Sequence, residues 1–154
     1  MQQDSTQGIQ VFTDGACLGN PGYGGYAAII ITDGVEQVIK GHADGITTNN
    51  IMELTAAIKA LEALPVGSTA TVYSDSKYVV QGMTQWMTGW KRKGWRTYDK
   101  KPVKNLELWK TLDALNSECF IEWLWVKGHS GHPENSRVDA LASAEAQKAA
   151  EQAV

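Results

Sequence analysis

The spacing of apolar residues changes period several times along the chain, and each change marks an element. Ile9, Val11 and Phe12 form a short apolar run and Ala27 to Ile31 a second. With a third segment they predict strands over about 8–13, 24–32 and 35–43. Ile51, Leu54, Ile58 and Leu61 then share one face at helical spacing. That periodicity predicts a helix over about 48–64, with Thr48 or Asn49 as its N-cap and Pro65 and Gly67 ending it. The stretch STATVYSD, Ser68 to Asp75, reads as a β-branched strand. Helices are expected over about 76–87 and 105–116. CFIEWLWV, Cys119 to Val126, alternates like a strand. A last helix starts at Pro133 or Glu134, where proline suits the first turn, and runs to about 150. Three hairpin-like strands followed by alternating helices and strands predict an α/β domain, a mixed sheet with helices on its faces.

Between the first two strands lies a glycine-rich turn, and Asp14 sits directly before it, at the mouth of an apolar strand. A phosphate-cradling loop would lead into a helix and carry Gly-Lys-Ser/Thr. Here Gly24 and Gly25 lead into Tyr26 and an apolar strand, so that pattern fails. A hairpin loop whose glycines supply unusual backbone angles accounts for the glycines. It does not account for Asp14.

Length and composition narrow the setting. The 154 residues suit a single domain, with flexible ends expected at about 1–7 and 150–154. No apolar run is long enough to span a membrane, and the polar start Met1 to Gln7 is no signal peptide. Cys17 and Cys119 are too few for a disulfide framework, so a reducing, cytoplasmic setting is expected. The cysteines lack Cys-x-x-Cys spacing, which with His129 and His132 makes a poor zinc set. His132 reads more simply as a helix-entry residue and Cys119 as core.

The net charge of −3 points away from nucleic acid, but its distribution does not. Lys91, Arg92, Lys93, Arg96, Lys100, Lys101 and Lys104 supply seven of the 14 basic residues, against one acid, Asp99. Trp86, Trp90, Trp95 and Trp109 accompany them. A solvated surface segment would explain the charge alone. Interleaved tryptophans fit a grip on a nucleic-acid strand.

The acids form a second pattern. Asp14 ends the first strand and Asp75 the fourth, so the two carboxylates emerge side by side if those strands are neighbours. Glu53 lies off the apolar face of its helix at about 100° per residue, on the side of Ala57 and Ala60. Small residues there would let the helix approach the sheet and carry Glu53 over its end. Asp139 borders the buried side of the last helix, beside Val138 and Leu141. Singly, each acid has a plainer role as turn residue, cap, dipole partner or surface group. Together they repel unless a cation sits between them, and oxygen-only ligands select hard ions such as Mg²⁺ or Mn²⁺. Beside a basic grip, such a set implies metal-assisted phosphodiester hydrolysis.

The segments TDGACLGNPG, TTNNIMELTAAIKALEAL, YSDSKYV, QWMTGWKRKGWRTYDKKPVKN and WVKGHSGHPENSRVDALA resemble bacterial type 1 ribonuclease H, in matching order over about residues 8–145. The resemblance implies the ribonuclease H-like fold, a five-stranded mixed sheet flanked by helices with a basic helical protrusion. It implies cleavage of the RNA strand of an RNA·DNA hybrid by a monomer using Mg²⁺, two ions with substrate bound, with Mn²⁺ as a substitute. The products would carry 3′-hydroxyl and 5′-phosphate ends. Asp14, Glu53, Asp75 and Asp139 take the place of the metal-binding catalytic carboxylates, and His129 that of the histidine aiding proton transfer or product release. Cys17, Gly19, Asn20, Asn49 and Asn50 match contacts to the RNA strand, where 2′-hydroxyls distinguish RNA from DNA. Thr48 and Asn105 match a pocket for a DNA-strand phosphate. Trp86, Trp90, Lys91, Lys93, Trp95, Lys100 and Lys101 fall in the protrusion.

Three positions depart from the pattern. Lys77 stands where relatives often carry Gln and reads as a substrate contact, through a phosphate, or as a partner of Asp75. Ile51 and Ile46 stand where basic residues are common. A hybrid-binding module without catalysis is the alternative on the same fold. It would gain nothing from carboxylates facing phosphates.

Overall fold

The first strand is apolar on both faces, which puts it in the middle of the sheet. In the computed structural model, which describes residues 8–97, 99–127 and 132–153, Ile9 and Val11 face one core while Phe12 faces another. Strand β1 (Ile9–Leu18) pairs antiparallel with β2 (Gly22–Thr32), which pairs antiparallel with β3 (Val35–Thr47). On its other side β1 pairs in parallel with β4 (Thr69–Ser74), and β4 with β5 (Phe120–Trp125). The five strands form one mixed sheet of order β3-β2-β1-β4-β5. Parallel neighbours need a crossover, and helix α1 (Asn49–Glu62) lies in the connection to β4.

The larger core lies on the face covered by α1 and by α4 (Leu106–Asn116). Val11, Ile30, Leu54, Ala57, Val72, Trp109 and Leu112 are buried there. On the other face α5 (Pro133–Gln152) packs against β1, β2 and β3. Its buried row is mostly small, Val138, Ala142, Ala146 and Ala149, so its backbone comes close to the sheet. A Cβ on Gly25 would stand 2.5 Å from the Ala142 carbonyl oxygen. The smaller core here holds Phe12, Ile29 and Val138. Burying a side chain of this size is worth about 1.5–3 kcal/mol.

Several boundaries differ from expectation. β1 continues five residues past the expected end at about 13, and β2 already begins at Gly22. Within the glycine run only Gly19 has a positive φ, 84°. Most of the other glycines make room for neighbours rather than turning the chain, since a Cβ on Gly24 would crowd Thr47 and Met52. The helix expected over 76–87 is a longer run of α2 (Lys77–Gln81), a π turn (Gly82–Trp86) and α3 (Met87–Arg92). Gly82 presses against the Trp109 ring at the start of that π turn, leaving no space for a side chain. The basic protrusion is therefore helical only through Arg92. Beyond it the chain doubles back through an Arg96–Pro102 bridge, with the Val103 amide donating to the Trp95 carbonyl at 3.1 Å. α5 continues through Gln152, into a stretch expected to be a flexible end. No helix among the described residues is long and apolar enough to cross a membrane.

Candidate active site

Asp14 and Asp75 meet because of strand register. The parallel β1–β4 pairing runs to Thr13 opposite Ser74, so the next residue on each strand is one of the two aspartates. Glu53 joins them from α1, where Thr48 caps the helix by accepting from the Ile51 amide at 3.2 Å. The helix approaches β1 at Gly15, where a Cβ would lie 2.5 Å from the backbone nitrogen of Glu53. That gap lets the Gly15 amide donate to Glu53 Oε1 at 3.0 Å and to Asp14 Oδ1 at 2.9 Å. One carboxylate oxygen from each of Asp14, Glu53 and Asp75 falls within 4.8 Å of the others. Asp139, half-buried on α5, reaches Asp14 with its side chain.

The site crowds carboxyl groups together, two of them out of water. Asp14 is 4% and Glu53 5% exposed, whereas Asp75 is open to solvent. Burial, then Asp75 and Asp139, push the Asp14 carboxyl up to about 8. Burial, then Asp14 and Asp75, hold Glu53 well above the usual carboxylate range, and the Gly15 amide only partly opposes this. A donor set of oxygens alone, crowded to the point of retaining protons, fits a hard divalent cation.

A pH dependence follows. A carboxyl that binds its proton more tightly folded than unfolded stabilises the fold fully below its unfolded value, and that stability is lost as pH rises through the folded value. At about 1.4 kcal/mol per pH unit, the metal-free protein should therefore lose several kcal/mol, up to about 5 kcal/mol for Asp14 alone, between about pH 4 and pH 8. Urea midpoints in EDTA at pH 5 and pH 8 check the sign. A divalent cation held by these carboxylates would have to displace the same protons, so its affinity should rise over that range. A metal-free midpoint that climbs from pH 5 to 8 would contradict the account.

Around the carboxylates the structure groups several of the remaining residues. Cys17 lies on β1 with Sγ 3.6 Å from the Thr47 carbonyl oxygen, and Asn20 Oδ1 accepts from the Asn49 amide at 3.1 Å. Asn20, Pro21, Thr48, Asn50, Lys104 and Asn105 line one cavity of about 300 Å³. Asn105 holds a left-handed backbone, φ 60°, and its Nδ2 donates to the Tyr78 hydroxyl at 3.1 Å. Lys104 was legible only as one member of the basic run. Its place beside Thr48 and Asn105 needed the fold.

The protrusion separates residues that the sequence treats alike. Trp109 is fully buried, and Trp90 packs on it at 5.0 Å between ring centroids. Trp95 is half-buried behind Trp90, while Trp86 is 36% exposed. Lys91 pairs with Asp113 at 3.3 Å, tying the protrusion to α4, and Lys101 pairs with Asp99 at 3.9 Å. Lys93 and Lys100 line an open cavity with Arg96 and Thr97. Lys77 is exposed and stands over the Trp125 ring, 4.8 Å from its centroid. His132 occupies the N-cap position of α5 without a side-chain cap bond, and its ring tilts against Phe12 and Tyr73. His129 lies outside the described residues.

Comparison with known proteins agrees with this architecture. The family model described as RNase H matches residues 6–147. The chain is 56% identical over 141 residues to ribonuclease H of Enterobacter sp. (strain 638), covering 92% of this chain and 90% of that protein. It is 56% identical over 139 residues to ribonuclease H of Salmonella arizonae, covering 90% and 88%. LC9-RNase H1, a type 1 RNase H with the type 2 active-site motif, superposes with a TM-score of 0.84 at 29% identity, over 96% of this chain and 75% of that one. LC11-RNase H1 in complex with RNA/DNA hybrid superposes with a TM-score of 0.69 at 26% identity, over 92% and 98%.

Proposed function

The chain belongs to the ribonuclease H family, and on that premise we propose that it cuts the RNA strand of RNA·DNA hybrids at the Asp14, Glu53, Asp75 and Asp139 carboxylates. The products carry 3′-hydroxyl and 5′-phosphate ends. The observation that carries the proposal is the convergence of three carboxylates within 4.8 Å, two of them buried. When bound, Mg²⁺, as two ions with substrate in place and with Mn²⁺ as a substitute, supplies an acidified water and neutralises phosphoryl charge. The chain's own part is to hold the ligands rigid. The Gly15 amide fixes Asp14 and Glu53 together, and burial keeps both from turning to solvent. His129, outside the described residues, is assigned the proton-transfer or release role.

Substrate reading falls to the surrounding surface. Cys17, Gly19, Asn20, Asn49 and Asn50 face the RNA strand, with amides and backbone groups suited to 2′-hydroxyls. Thr48 and Asn105, with Lys104 beside them, take a phosphate of the DNA strand. Trp86, Trp90, Trp95, Lys77, Lys91, Lys93, Lys100 and Lys101 complete the binding surface, and Arg96 joins them through its cavity with Lys93 and Lys100. The hybrid held by LC11-RNase H1 supports the choice of substrate. A monomeric single domain in the cytoplasm completes the proposal, consistent with free Cys17 and Cys119. Incubation with Mg²⁺ and a hybrid labelled on each strand in turn tests it. RNA-strand cuts alone are expected, with single-stranded RNA and duplex DNA spared. Cuts in the DNA strand, or an intact hybrid, would overturn it.

Exchanging Lys93, Arg96 and Lys100 for Ala should raise KM and lower the slope of log affinity against log salt by at most about 0.9 per residue. Lys91 should matter less to that slope, because Asp113 already engages it. Turnover at saturating hybrid should persist. A collapse of kcat at constant KM would show that the protrusion is more than a grip.

A further inference from the structure

Asp75 is the exposed member of the cluster; its side chain reaches Asp14, and its backbone is held as well. The β4–β5 ladder ends just before it, where the Val126 amide donates to the Ser74 carbonyl at 2.9 Å. One residue further on the donor is a side chain. Trp125 Nε1 donates to the Asp75 carbonyl at 3.1 Å. The amide on the other end of that same peptide unit, Ser76 N–H, donates to Ser74 Oγ at 3.0 Å. Both polar groups of the Asp75–Ser76 peptide are thus fixed. Ser76 Oγ in turn caps α2 by accepting from the Val79 amide at 3.2 Å. Lys77, on the first turn of that helix, places its ammonium over the same indole at 4.8 Å.

We propose that Trp125 is a positioning residue for Asp75: its indole N–H holds the Asp75–Ser76 peptide plane, and so aims the Asp75 carboxylate at Asp14 and Glu53. Lys77 steadies the ring from its face, which gives this lysine a partner other than the Asp75 carboxylate. The inference rests on the reading of Asp75 as a metal ligand. Trp125 is 43% exposed, so exchanging it for another aromatic residue should leave the fold standing.

Trp125→Phe keeps an aromatic face for Lys77 and removes the N–H. Calorimetric Mg²⁺ titration without nucleic acid should show binding weakened about 3–10-fold, the scale of one lost hydrogen bond. KM for hybrid at saturating Mg²⁺ should stay at the wild-type value, and the urea midpoint in EDTA should fall by no more than one lost hydrogen bond explains. Replacing Trp125 with benzothienylalanine, which exchanges the N–H for sulfur at nearly constant shape, should reproduce the loss. Wild-type Mg²⁺ affinity in either variant would overturn the positioning role, as would a change confined to KM. A wild-type protein that binds no Mg²⁺ or spares the hybrid would instead sink the hydrolase reading itself.

Discussion

Asp14→Asn is expected to cut Mg²⁺-dependent hybrid cleavage by at least about 10²–10³-fold, the scale of losing one group that meets developing charge. It should leave the metal-free fold as stable as before, or more stable by about 1–2 kcal/mol at pH 7. Both effects have one origin. Asp14 is buried against Asp75, Asp139 and Glu53, and its charge is tolerated only with a proton or a cation present. The amide keeps the shape and can be buried without taking up a proton, so the cost of protonating Asp14 on folding disappears while a ligand is lost. It should also flatten the fall in metal-free stability between pH 5 and pH 8. Urea unfolding in EDTA, read beside a cleavage assay, checks both halves. Marked destabilisation with activity retained would give Asp14 a structural role instead.

Gly15→Ala should be nearly as damaging, for a reason of space. The added Cβ would lie 2.5 Å from Glu53 N and Met52 C, backbone atoms of α1 that no rotamer change can move. The helix must shift, at about 1–3 kcal/mol for overpacking. Glu53 shifts with it, and a displacement of about 1 Å in a catalytic group can cost on the order of 10²-fold. Activity should therefore fall further than the urea midpoint alone explains. Gly45→Ala is the control, since nothing lies within 4 Å of a Cβ there. Wild-type activity and midpoint in Gly15→Ala would show that Gly15 does not set the α1–β1 distance.

Gly15 also marks where sequence reading stops. The pairing of Asp14 with Asp75 was legible, because apolar runs locate β1 and β4 and each acid follows its run. The approach of Glu53 was legible through Ala57 and Ala60, both fully buried. Of the glycine run, Gly19 turns the chain as expected, but Gly24 and Gly25 do not. A glycine looks the same in sequence whether it turns the chain or clears space, and here Gly15, Gly24 and Gly25 lie within strands and clear space. The tryptophans of the basic segment posed a similar ambiguity. Trp109 sits on α4, its Nε1 donating to the Tyr78 hydroxyl at 3.1 Å, and belongs to the core that carries the protrusion. The union of Lys104 with Thr48 and Asn105 depends on the far end of that segment folding back, which no local pattern encodes.

On the proposed function, the carboxylate cluster would hold a divalent cation that engages the phosphate being cut. A hybrid carrying sulfur in place of one non-bridging oxygen at a single RNA phosphate tests this most directly. Sulfur is a soft ligand that Mg²⁺ accepts poorly and Mn²⁺ accepts better. In at least one stereoisomer, cleavage at that bond should fall sharply in Mg²⁺ and recover in Mn²⁺, while neighbouring bonds are cut as before. Equal cleavage of the sulfur-bearing and normal bonds in both ions, for both stereoisomers, would contradict it.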